Sequence, residues 1–456
     1  MMADRVVIHP ALLRGEAHVP TSKSLAHRAI LCAALAEGVS RIYNISLSED
    51  IEATLNVANV LGASYHWDGT TLVIQGIGGN VKDFSADEAS PVKIDCGESG
   101  STLRFVIPIL SALGIPAVYS GRGKLPERPL SVYYELFDAH KVAYETTCGK
   151  LPLSVSGGLK GGKFEVDGSI SSQFITGLLF ALPLVHGDRF EGSCESEEAA
   201  SVSHLTITGK IESAPYIELT LSVLKTFGVQ IIRLADNEFE IPSGQRFHSC
   251  DYTVEADASQ AAFLVAAAGG CLTPQESILI PGMHKDTAQG DKAFVEAFNA
   301  FGGHAVYESE RLRVFGLSDL KTESRTFDAS QCPDIVPILA VLGCCLPGSL
   351  RITGCARLRI KESDRLRAIT DGLSALGASI CEEKDDLVIE DGFLKQAEPI
   401  VVSSFNDHRI AMAISVAALI SKQTVTIEDA SCVKKSWPSY WHDLEVLFPG
   451  SVEVIK

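Results

Sequence analysis

The sequence predicts an α/β protein made of six copies of one repeat, arranged as two domains. Three observations indicate this fold class. Short polar segments recur before apolar runs of helical length, glycines end a second set of helices with the same spacing, and strand–turn–strand patterns follow most of those glycines. A chain of 456 residues is long enough for two or three domains, each with its own core.

The first marker of the repeat is a polar residue at the head of an apolar run. The six head residues are Ser24, Ser99, Ser171, Asp257, Asp334 and Asp407. They recur at intervals of 72 to 86 residues, which is longer than the period of common solenoid repeats. Ser and Asp are preferred N-cap residues, so we expect each of them at or near the N-terminus of a helix.

The second marker is a glycine that ends another helix in five of the six repeats. These glycines are Gly62, Gly228, Gly302, Gly377 and Gly450. The second repeat has the segment 139–143 in this place, without a glycine. Turns at 67–69 and 235–237 then join two strands, as Asp-Gly and Asp-Asn pairs favour. Each repeat is therefore predicted to have the order β-α-β-β-α-β.

Six repeats predict two domains of three repeats each. We expect one domain, which contains both termini, to comprise residues 1–20 and 252–456, and an inserted domain to comprise residues 21–251. The strand that ends before Pro20 is expected to complete the last repeat. Residues 192–198 are acidic and lengthen the interval before the fourth head, so they are predicted to form an exposed loop.

Charge and composition exclude several classes of function. Acidic residues outnumber basic ones by 57 to 39, and the net charge of −18 disfavours nucleic acid or an anionic membrane as a partner. The twelve cysteines form no Cys-x-x-Cys pair and no zinc-type spacing, so no metal is expected. Reduced thiols and a start without signal-peptide character favour a cytoplasmic protein, and we expect a monomer. The apolar runs 174–185 and 410–420 are too short to cross a bilayer.

Cations gather at or near the helix heads of this acidic protein. They are Lys23, Arg28, Arg104, Lys124, Arg128, Arg365, Arg409 and Lys435. A helix N-terminus also offers unpaired N–H groups and the positive end of the helix dipole, so the heads are predicted to bind anions. If the heads converge on one cleft between the domains, they would suit two phosphorylated or carboxylated substrates. The glycine-rich segment 97–104 is no Walker A loop, and the sequence has no dinucleotide fingerprint.

Three other polar residues are candidates for proton transfer. Glu362 lies among Arg359, Lys361 and Arg365 in a charged segment, where a carboxylate can transfer protons beside an anion-binding arginine. Asp334 at its helix head could be such a group or a first-turn carboxylate that stabilises the helix. His408, next to Arg409, could act in the chemistry or simply pack in the core.

Six motifs, taken in order, carry a family resemblance. They are residues 22–24 with Arg28, 97–104, 125–129, 171–173, 359–365 and 407–409. Together they resemble the 3-phosphoshikimate 1-carboxyvinyltransferases, or EPSP synthases, of the enolpyruvyl transferase family. The resemblance runs from the first head to Lys435.

This resemblance implies an α/β fold in the form of a two-domain inside-out α/β barrel, with three repeats in each domain and the active site in the cleft between them. It implies that the 5-hydroxyl of shikimate 3-phosphate adds to phosphoenolpyruvate, and that the tetrahedral intermediate then loses phosphate. The reaction belongs to chorismate and aromatic amino acid biosynthesis, is the target of glyphosate in this family, and needs no metal or organic cofactor.

The resemblance also implies residue roles. Shikimate 3-phosphate would be bound by Lys23, Ser24, Arg28, Ser171, Ser172, Gln173, Ser213, Asp334, Arg357 and Lys361, with Tyr216 at the same pocket. Phosphoenolpyruvate would be bound by Lys23, Gly100, Arg128, Gln173, Arg365, Arg409 and Lys435. Asp334 would take the hydroxyl proton, while Glu362 and Lys23 would move the proton to and from the methylene carbon. His408 completes the implied catalytic set.

Four positions depart from the family pattern. Thr21 stands where glycine is common, Glu98 and Arg357 where asparagine is common, and Lys124 where a second arginine often stands. Lysine cannot bind a carboxylate or phosphate through two parallel hydrogen bonds as arginine does. These departures leave glyphosate sensitivity open.

Two alternative functions are weaker. An enolpyruvyl transferase acting on UDP-N-acetylglucosamine typically has asparagine after the first-head lysine and a loop cysteine. Here Ser24 follows Lys23, and residues 121–128 contain no cysteine. A non-catalytic anion-binding protein of the same fold would have no need of Lys23, Asp334 and Glu362, which are all present.

Overall fold

The computed structural model describes residues 5–78, 91–185, 202–394, 396 and 399–455. The predicted acidic loop at 192–198 lies outside the described residues. The α-helices of the described residues are α1 (Lys23–Leu35), α2 (Glu49–Leu61), α3 (Gly100–Ala112), α4 (Ser131–His140), α5 (Ser172–Ala181), α6 (Ala214–Thr226), α7 (Ala258–Cys271), α8 (Ala293–Ala300), α9 (Val336–Gly343), α10 (Arg365–Ala375), α11 (His408–Ser421) and α12 (Tyr440–Leu447). Among these residues, no helix combines the length and the apolar character needed to cross a membrane.

Short strands alternate with these helices. In the described residues they are β1 (Arg5–Ile8), β2 (Val39–Tyr43), β3 (Ser64–Asp68), β4 (Thr71–Gln75), β5 (Val92–Asp95), β6 (Ala117–Ser120), β7 (Ala143–Thr147), β8 (Lys150–Ser156), β9 (Lys163–Asp167), β10 (Val202–Thr208), β11 (Ile232–Ala235), β12 (Glu238–Pro242), β13 (Asp251–Thr253), β14 (Ser277–Pro281), β15 (Ala305–Glu308), β16 (Arg311–Phe315), β17 (Glu323–Asp328), β18 (Gly348–Thr353), β19 (Ser379–Glu383), β20 (Asp386–Asp391), β21 (Ile400–Ser403), β22 (Val425–Glu428) and β23 (Val452–Ile455). They form six small sheets, one for each repeat.

The second repeat shows the connectivity most clearly. Its sheet has the order β5-β6-β8-β7, in which β5 and β6 are parallel and β8 is antiparallel to both of its neighbours. Helix α3 connects the parallel pair, as a parallel connection requires, and α4 leads into the β7–β8 hairpin. The order is therefore β-α-β-α-β-β, and the predicted order β-α-β-β-α-β is wrong in this detail. In this repeat the strand before the head, β5, pairs with β6, the strand that directly follows the head helix.

Two repeats borrow a strand from elsewhere in the chain. β13 pairs in parallel with β2 in the sheet of the first repeat. β1 lies between β22 and β23, so it completes the sheet of the last repeat, as the sequence predicts. The chain divides into two compact domains. The terminal domain comprises the chain up to Ser22 and from Glu255 onward, and the inserted domain comprises Lys23–Val254.

The first helix of each repeat is buried inside its domain. In the inserted domain α3 packs against α1 and α5, and in the terminal domain α11 packs against α7 and α9. Every residue of α9 is buried. Such helices are apolar on all faces, and a helix of this kind is stable only where protein surrounds it. Strands such as β9 and β10 alternate buried residues with more exposed ones, so one face of their sheet packs on the helices and the other faces outward.

In five repeats a left-handed glycine follows the second helix, as the sequence predicts. The glycines after these helices have φ between 81° and 107°. The second repeat uses Lys141 with φ of 56° in the same place. Glycine adopts this conformation without the steric cost of a Cβ atom.

Two of these glycines form a matched pair for a test of stability. Gly377 has φ of 89°, and a Cβ there would overlap the backbone carbonyl oxygen of Leu394. Gly450 has φ of 84°, but a Cβ there would have no heavy atom within 4 Å. We expect Gly377→Ala to destabilise the terminal domain clearly more than Gly450→Ala, whose cost should be roughly 1–2 kcal/mol from the backbone alone. Urea unfolding of both variants measures the difference, and equal midpoints would contradict it.

Candidate active site

Arg365 is the centre of a buried charge cluster in the terminal domain. It is the first residue of α10, and its side chain is only 2% exposed. Its Nε donates to Oδ2 of Asp407 at 2.8 Å, Nη1 donates to Oδ1 of Asp334 at 3.0 Å, and Nη2 donates to Oε2 of Glu362 at 2.6 Å. Burial alone would lower the pKa of Arg365, but these three carboxylates raise it. The guanidinium is therefore permanently charged and fixed in direction.

Asp334 faces several cations at once. It lies in a short 3₁₀ turn, Pro333–Ile335, directly before α9. Its Oδ1 lies 3.0 Å from Arg365 and 3.6 Å from Nζ of Lys361, and its Oδ2 lies 3.1 Å from Nη2 of Arg409. Burial alone would raise the pKa of Asp334, but Arg409, Lys361 and Arg365 hold it well below its usual value. The carboxylate is therefore ionised and can accept a proton.

Lys361 is the cation of this cluster whose charge is most easily changed. Its burial, together with the charges of Arg365 and Arg357, lowers its pKa to about 8, although Asp334 and Glu362 oppose the shift. Arg357 is itself buried and donates from Nη2 to the carbonyl of Ser330 at 2.8 Å. Arg357 therefore supplies a fixed positive charge close to Lys361.

Asp407 organises the head of α11. As the N-cap residue, it accepts the backbone N–H of Arg409 at 3.0 Å, and its Oδ2 accepts the hydroxyl of Ser363 at 3.0 Å. Arg409 then donates to Ser259 Oγ at 3.0 Å and to the carbonyl of Asp334 at 2.9 Å. The cap thus positions the arginine against Asp334.

Two further predicted residues adjoin this head. Lys435 is buried and donates to the carbonyl of Asn406 at 2.8 Å, which places its ammonium beside the chain that leads into α11. His408 is 2% exposed, with Nδ1 3.9 Å from Oδ1 of Asp407. His408 is therefore a core residue of the terminal domain next to the charge cluster.

In the inserted domain, Lys23 begins α1 and is held by a residue of α2. Its Nζ donates to Oδ2 of Asp50 at 2.7 Å, and the two side chains are 20% and 13% exposed. This pair keeps the ammonium at the head of α1, where a positive charge and the helix dipole favour an anion.

Arg28 lies deeper in the same domain. Its guanidinium donates to Thr220 Oγ1 at 2.9 Å and to the carbonyls of Ser24 and Tyr216 at 2.7 and 3.0 Å. It also lies over the ring of Phe105, 5.2 Å from the centroid. Burial lowers the pKa of Arg28 to about 10, against smaller opposing contributions from Tyr216 and other groups. Arg28 thereby fixes the heads of α1 and α6 relative to each other.

Gly100 is surrounded by three polar side chains. A Cβ at this position would lie 2.5 Å from Nη1 of Arg128, 2.9 Å from Nη1 of Arg104 and 3.6 Å from Oε1 of Gln173. Arg104 donates to that Gln173 oxygen at 2.9 Å, and Gln173 donates to Ser101 Oγ at 3.0 Å. A side chain at this position would therefore displace the guanidinium groups of Arg128 and Arg104.

The remaining predicted residues of this domain lie at two other helix heads. Ser171 caps α5 through the backbone N–H of Gln173, and Ser172 follows it as a buried residue. Ser213 precedes α6 in the left-handed conformation, with φ of 57°, and is also buried. Their hydroxyls therefore lie at the positive ends of helix dipoles.

The four departures from the family pattern occupy different surroundings. Lys124 is 67% exposed and lies 3.8 Å from Glu127. The carboxylate of Glu98 lies against Gly123. Thr21 forms an isolated antiparallel bridge with Ala256 in the terminal domain. Arg357, described above, is the departure that contributes to the charge cluster.

Within each domain, the structure brings the predicted residues into one neighbourhood. The terminal domain groups Asp334, Lys361, Glu362, Arg365 and Arg409, and the inserted domain groups Gly100, Arg128 and Gln173. Sequence reasoning missed the partners that orient these groups. It identified Asp407 only as a helix head and Arg104 only as a nearby cation, and no pattern indicated Asp50. Among the described residues, no three His, Cys, Asp or Glu side chains are grouped as metal ligands.

Comparisons with known proteins support one family. The sequence profile of EPSP synthase (3-phosphoshikimate 1-carboxyvinyltransferase) matches residues 7–444. A 3-phosphoshikimate 1-carboxyvinyltransferase from Clostridium kluyveri is 40% identical over 443 residues, or 97% of each chain. The protein of the same name from Clostridium acetobutylicum is 42% identical over 448 residues, again 97% of each chain.

Solved structures share the fold. The EPSP synthase from Acinetobacter baumannii matches with a TM-score of 0.77 and 24% identity, over 99% of this chain and 100% of that one. The enolpyruvyl transferase NikO from Streptomyces tendae matches with a TM-score of 0.77 and 16% identity, over 100% of this chain and 99% of that one. These matches confirm the predicted fold class.

The buried pair of Arg365 in α10 and Asp407 at the cap of α11 can be compared with an exposed ion pair within α10. Asp407 is fully buried, so Asp407→Asn leaves a buried guanidinium with one carboxylate fewer and should cost about 3–5 kcal/mol of unfolding free energy. Arg367 and Asp371 form an ion pair at 2.9 Å on the surface, so Asp371→Asn should cost about 1 kcal/mol or less. Urea unfolding tests this, and similar losses in the two variants would refute it.

Proposed function

The chain belongs to the EPSP synthase (3-phosphoshikimate 1-carboxyvinyltransferase) family, and we propose that it transfers the enolpyruvyl group of phosphoenolpyruvate to the 5-hydroxyl of shikimate 3-phosphate, with release of phosphate. The observation that carries this proposal is the family match over residues 7–444, which spans both domains and all six helix heads. Two polyanionic substrates also account for the many cations at the heads of an acidic protein.

Asp334 is proposed as the base that takes the proton of the 5-hydroxyl. It is ionised, because the neighbouring cations hold its pKa well below the usual value. The same cations make it a weak base in the absence of substrate. When substrate phosphate or carboxylate groups offset the charges of Lys361 and Arg409, the proton affinity of Asp334 rises.

Glu362 and Lys23 are proposed to move the proton to and from the methylene carbon of phosphoenolpyruvate. Glu362 is oriented by its 2.6 Å contact with Arg365, and Lys23 by its 2.7 Å contact with Asp50. Addition needs an acid at carbon while the base acts at the hydroxyl, and elimination reverses the carbon step. In this proposal, residues of both domains act on one substrate pair, and His408 supports Asp407 and Arg409 by packing at the head of α11.

Substrate binding is divided among the remaining predicted residues. We assign phosphoenolpyruvate to Lys23, Gly100, Arg128, Gln173, Arg365, Arg409 and Lys435. We assign shikimate 3-phosphate to Lys23, Ser24, Arg28, Ser171, Ser172, Gln173, Ser213, Asp334, Arg357 and Lys361. Arginine suits these roles because its guanidinium matches the geometry of carboxylate and phosphate. Arg28 adds its charge to the shikimate side while its own hydrogen bonds fix Thr220, Ser24 and Tyr216.

A cytoplasmic location is also proposed. The described cysteines are all free, and most of them are buried or partly buried. Buried thiols with raised pKa values, such as Cys344, behave as small apolar side chains and resist oxidation. This use of cysteine suits a reducing compartment.

The proposed reaction is tested by phosphate release. We expect release with shikimate 3-phosphate plus phosphoenolpyruvate, and none when UDP-N-acetylglucosamine replaces shikimate 3-phosphate. No release with the first pair would overturn the proposal, and release with the second would favour the alternative enzyme.

Lys23→Ala should lower kcat at least a hundredfold, because it removes a cation at the reacting atoms, roughly 3 kcal/mol of transition-state stabilisation. Lys225→Ala, which changes an exposed lysine in the last turn of α6, is the control and should leave kcat unchanged. Adding glyphosate to the same assay determines sensitivity.

The titration of Lys361 should make the affinity for shikimate 3-phosphate depend on pH. Its pKa of about 8 means that the positive charge is largely present at pH 7 and is lost as the pH rises above 8. The KM for shikimate 3-phosphate should therefore rise between pH 7.5 and 9. Lys361→Arg, which stays charged, should lose this dependence. A KM that rises equally in the wild type and in Lys361→Arg would assign the titration to another group.

A further inference from the structure

Helix α2 contacts the heads of two other helices of the inserted domain through two side chains on one face. Asp50 lies in its first turn and Thr54 one turn later, so both project in the same direction. From this arrangement we propose that Asp50 and Thr54 are positioning residues for the transfer reaction. They hold Lys23 at the head of α1 and the residues at the head of α3 in fixed relation. This inference rests on the proposed function, which places Lys23 and Gly100 at the substrates.

Asp50 is itself rigidly placed. The hydroxyl of Ser48 caps α2 by accepting the backbone N–H of Ile51, and the acidic first turn suits the positive end of the helix dipole. The 2.7 Å contact of Asp50 with Nζ of Lys23 is partly buried, so solvent screens it less than a surface pair. A lysine has four rotatable bonds, and such a contact restricts its ammonium to one place.

Thr54 links α2 to both neighbouring helices. Its Oγ1 lies 2.6 Å from Nδ1 of His27 in α1 and 2.7 Å from Oγ1 of Thr102 in α3. The hydroxyl of Thr102 donates to Ser99 Oγ at 2.7 Å, and Ser99 caps α3 by accepting the N–H of Thr102. A hydrogen-bonded chain of four side chains therefore connects α1 through α2 to the residue before Gly100. Its members are His27, Thr54, Thr102 and Ser99.

The direction of hydrogen-bond donation along these four side chains follows from which groups can donate and which can accept. Since Thr102 donates to Ser99, it can accept from Thr54, and Thr54 can then accept from Nδ1–H of His27. His27 is 1% exposed, and burial together with the charges of Lys23 and Arg28 holds its pKa well below 6.5. The imidazole is therefore neutral, and the chain selects the tautomer with the proton on Nδ1. Such aligned hydrogen bonds strengthen one another in a buried setting.

This arrangement fits positioning better than simple core packing. An apolar core residue would serve α2 equally well at the position of Thr54, since Leu55 and Ala58 nearby are already buried. A hydroxyl in this place is useful because it satisfies polar groups of α1 and α3 simultaneously. Shifts of α2 are therefore transmitted both to Lys23, through Asp50, and to the loop before Gly100, through Thr54.

The kinetic test uses Thr54→Val, which keeps the shape and removes the hydroxyl. We expect kcat for phosphate release to fall about tenfold or more while the KM values change less than about threefold. Thr54→Ser restores the hydroxyl and should recover kcat to within about threefold of the wild type. Asp50→Asn should lower kcat more strongly than Thr54→Val, because it removes the charged partner of Lys23.

Thr226→Val is the control, because the hydroxyl of Thr226 lies in an exposed part of α6 and donates to the carbonyl of Ser222 in the same helix. Its kcat should equal that of the wild type. If Thr54→Val retains wild-type kcat, or if Thr54→Ser is as impaired as Thr54→Val, the positioning role is refuted while the proposed function stands. If the wild type itself releases no phosphate, the proposed function fails, and the positioning role in that reaction fails with it.

A second measurement examines the hydrogen-bonded chain of side chains in the absence of substrates. Nitrogen NMR of histidine-labelled protein should show the proton of His27 on Nδ1. Thr102→Val should shift the His27 signals, although Thr54 stands between the two residues. A His27 protonated on Nε2, or unchanged in Thr102→Val, would refute the hydrogen-bonded chain irrespective of the enzyme assay.

Discussion

The first helix of every repeat is buried inside its domain, and this burial limits where polar groups can lie. A helix such as α9 or α11 offers no face to solvent, so polar chemistry can occur only at its ends. Its N-terminus carries unpaired N–H groups and a positive dipole end. Caps such as Ser171 and Asp407 therefore have two tasks: they terminate a core helix and they orient the site residues that follow them. Core packing and anion binding depend on the same few residues.

The second helices of the repeats supply partners to these heads. Arg365 at the start of α10 contacts Asp407, the cap of α11, and Asp50 in the first turn of α2 contacts Lys23 of α1. Each contact pairs a cation with a carboxylate before any substrate is present. Burying an unpaired charge would cost several kcal/mol, so these pairs allow cations to lie in the interior. They also give each cation one direction, which preorganises the site.

Features that depend on residues close together in sequence could be predicted, and contacts between distant residues could not. Helix heads and closing glycines depend on residues a few positions apart, and Asp257, Asp407 and Gly377 lie where their patterns predict. The predicted order within a repeat is wrong because it depends on which strands pair, such as β6 with β8, which are separated by α4 and β7. Likewise, the contact of Asp50 with Lys23 joins residues 27 positions apart and leaves no periodic trace. Which carboxylate orients which cation is decided by tertiary packing.

The charges around Asp334 connect substrate binding to the chemistry that we propose. In the free protein, Arg409, Lys361 and Arg365 stabilise its ionised form, and a carboxylate so stabilised holds a proton poorly. An anion that binds these cations weakens their effect on Asp334 and also favours the protonated form of Lys361. Both changes increase the proton affinity of groups at the site as the substrates bind. Asp334 would therefore become an effective base only when the anions are in place, which ties proton abstraction to an occupied site.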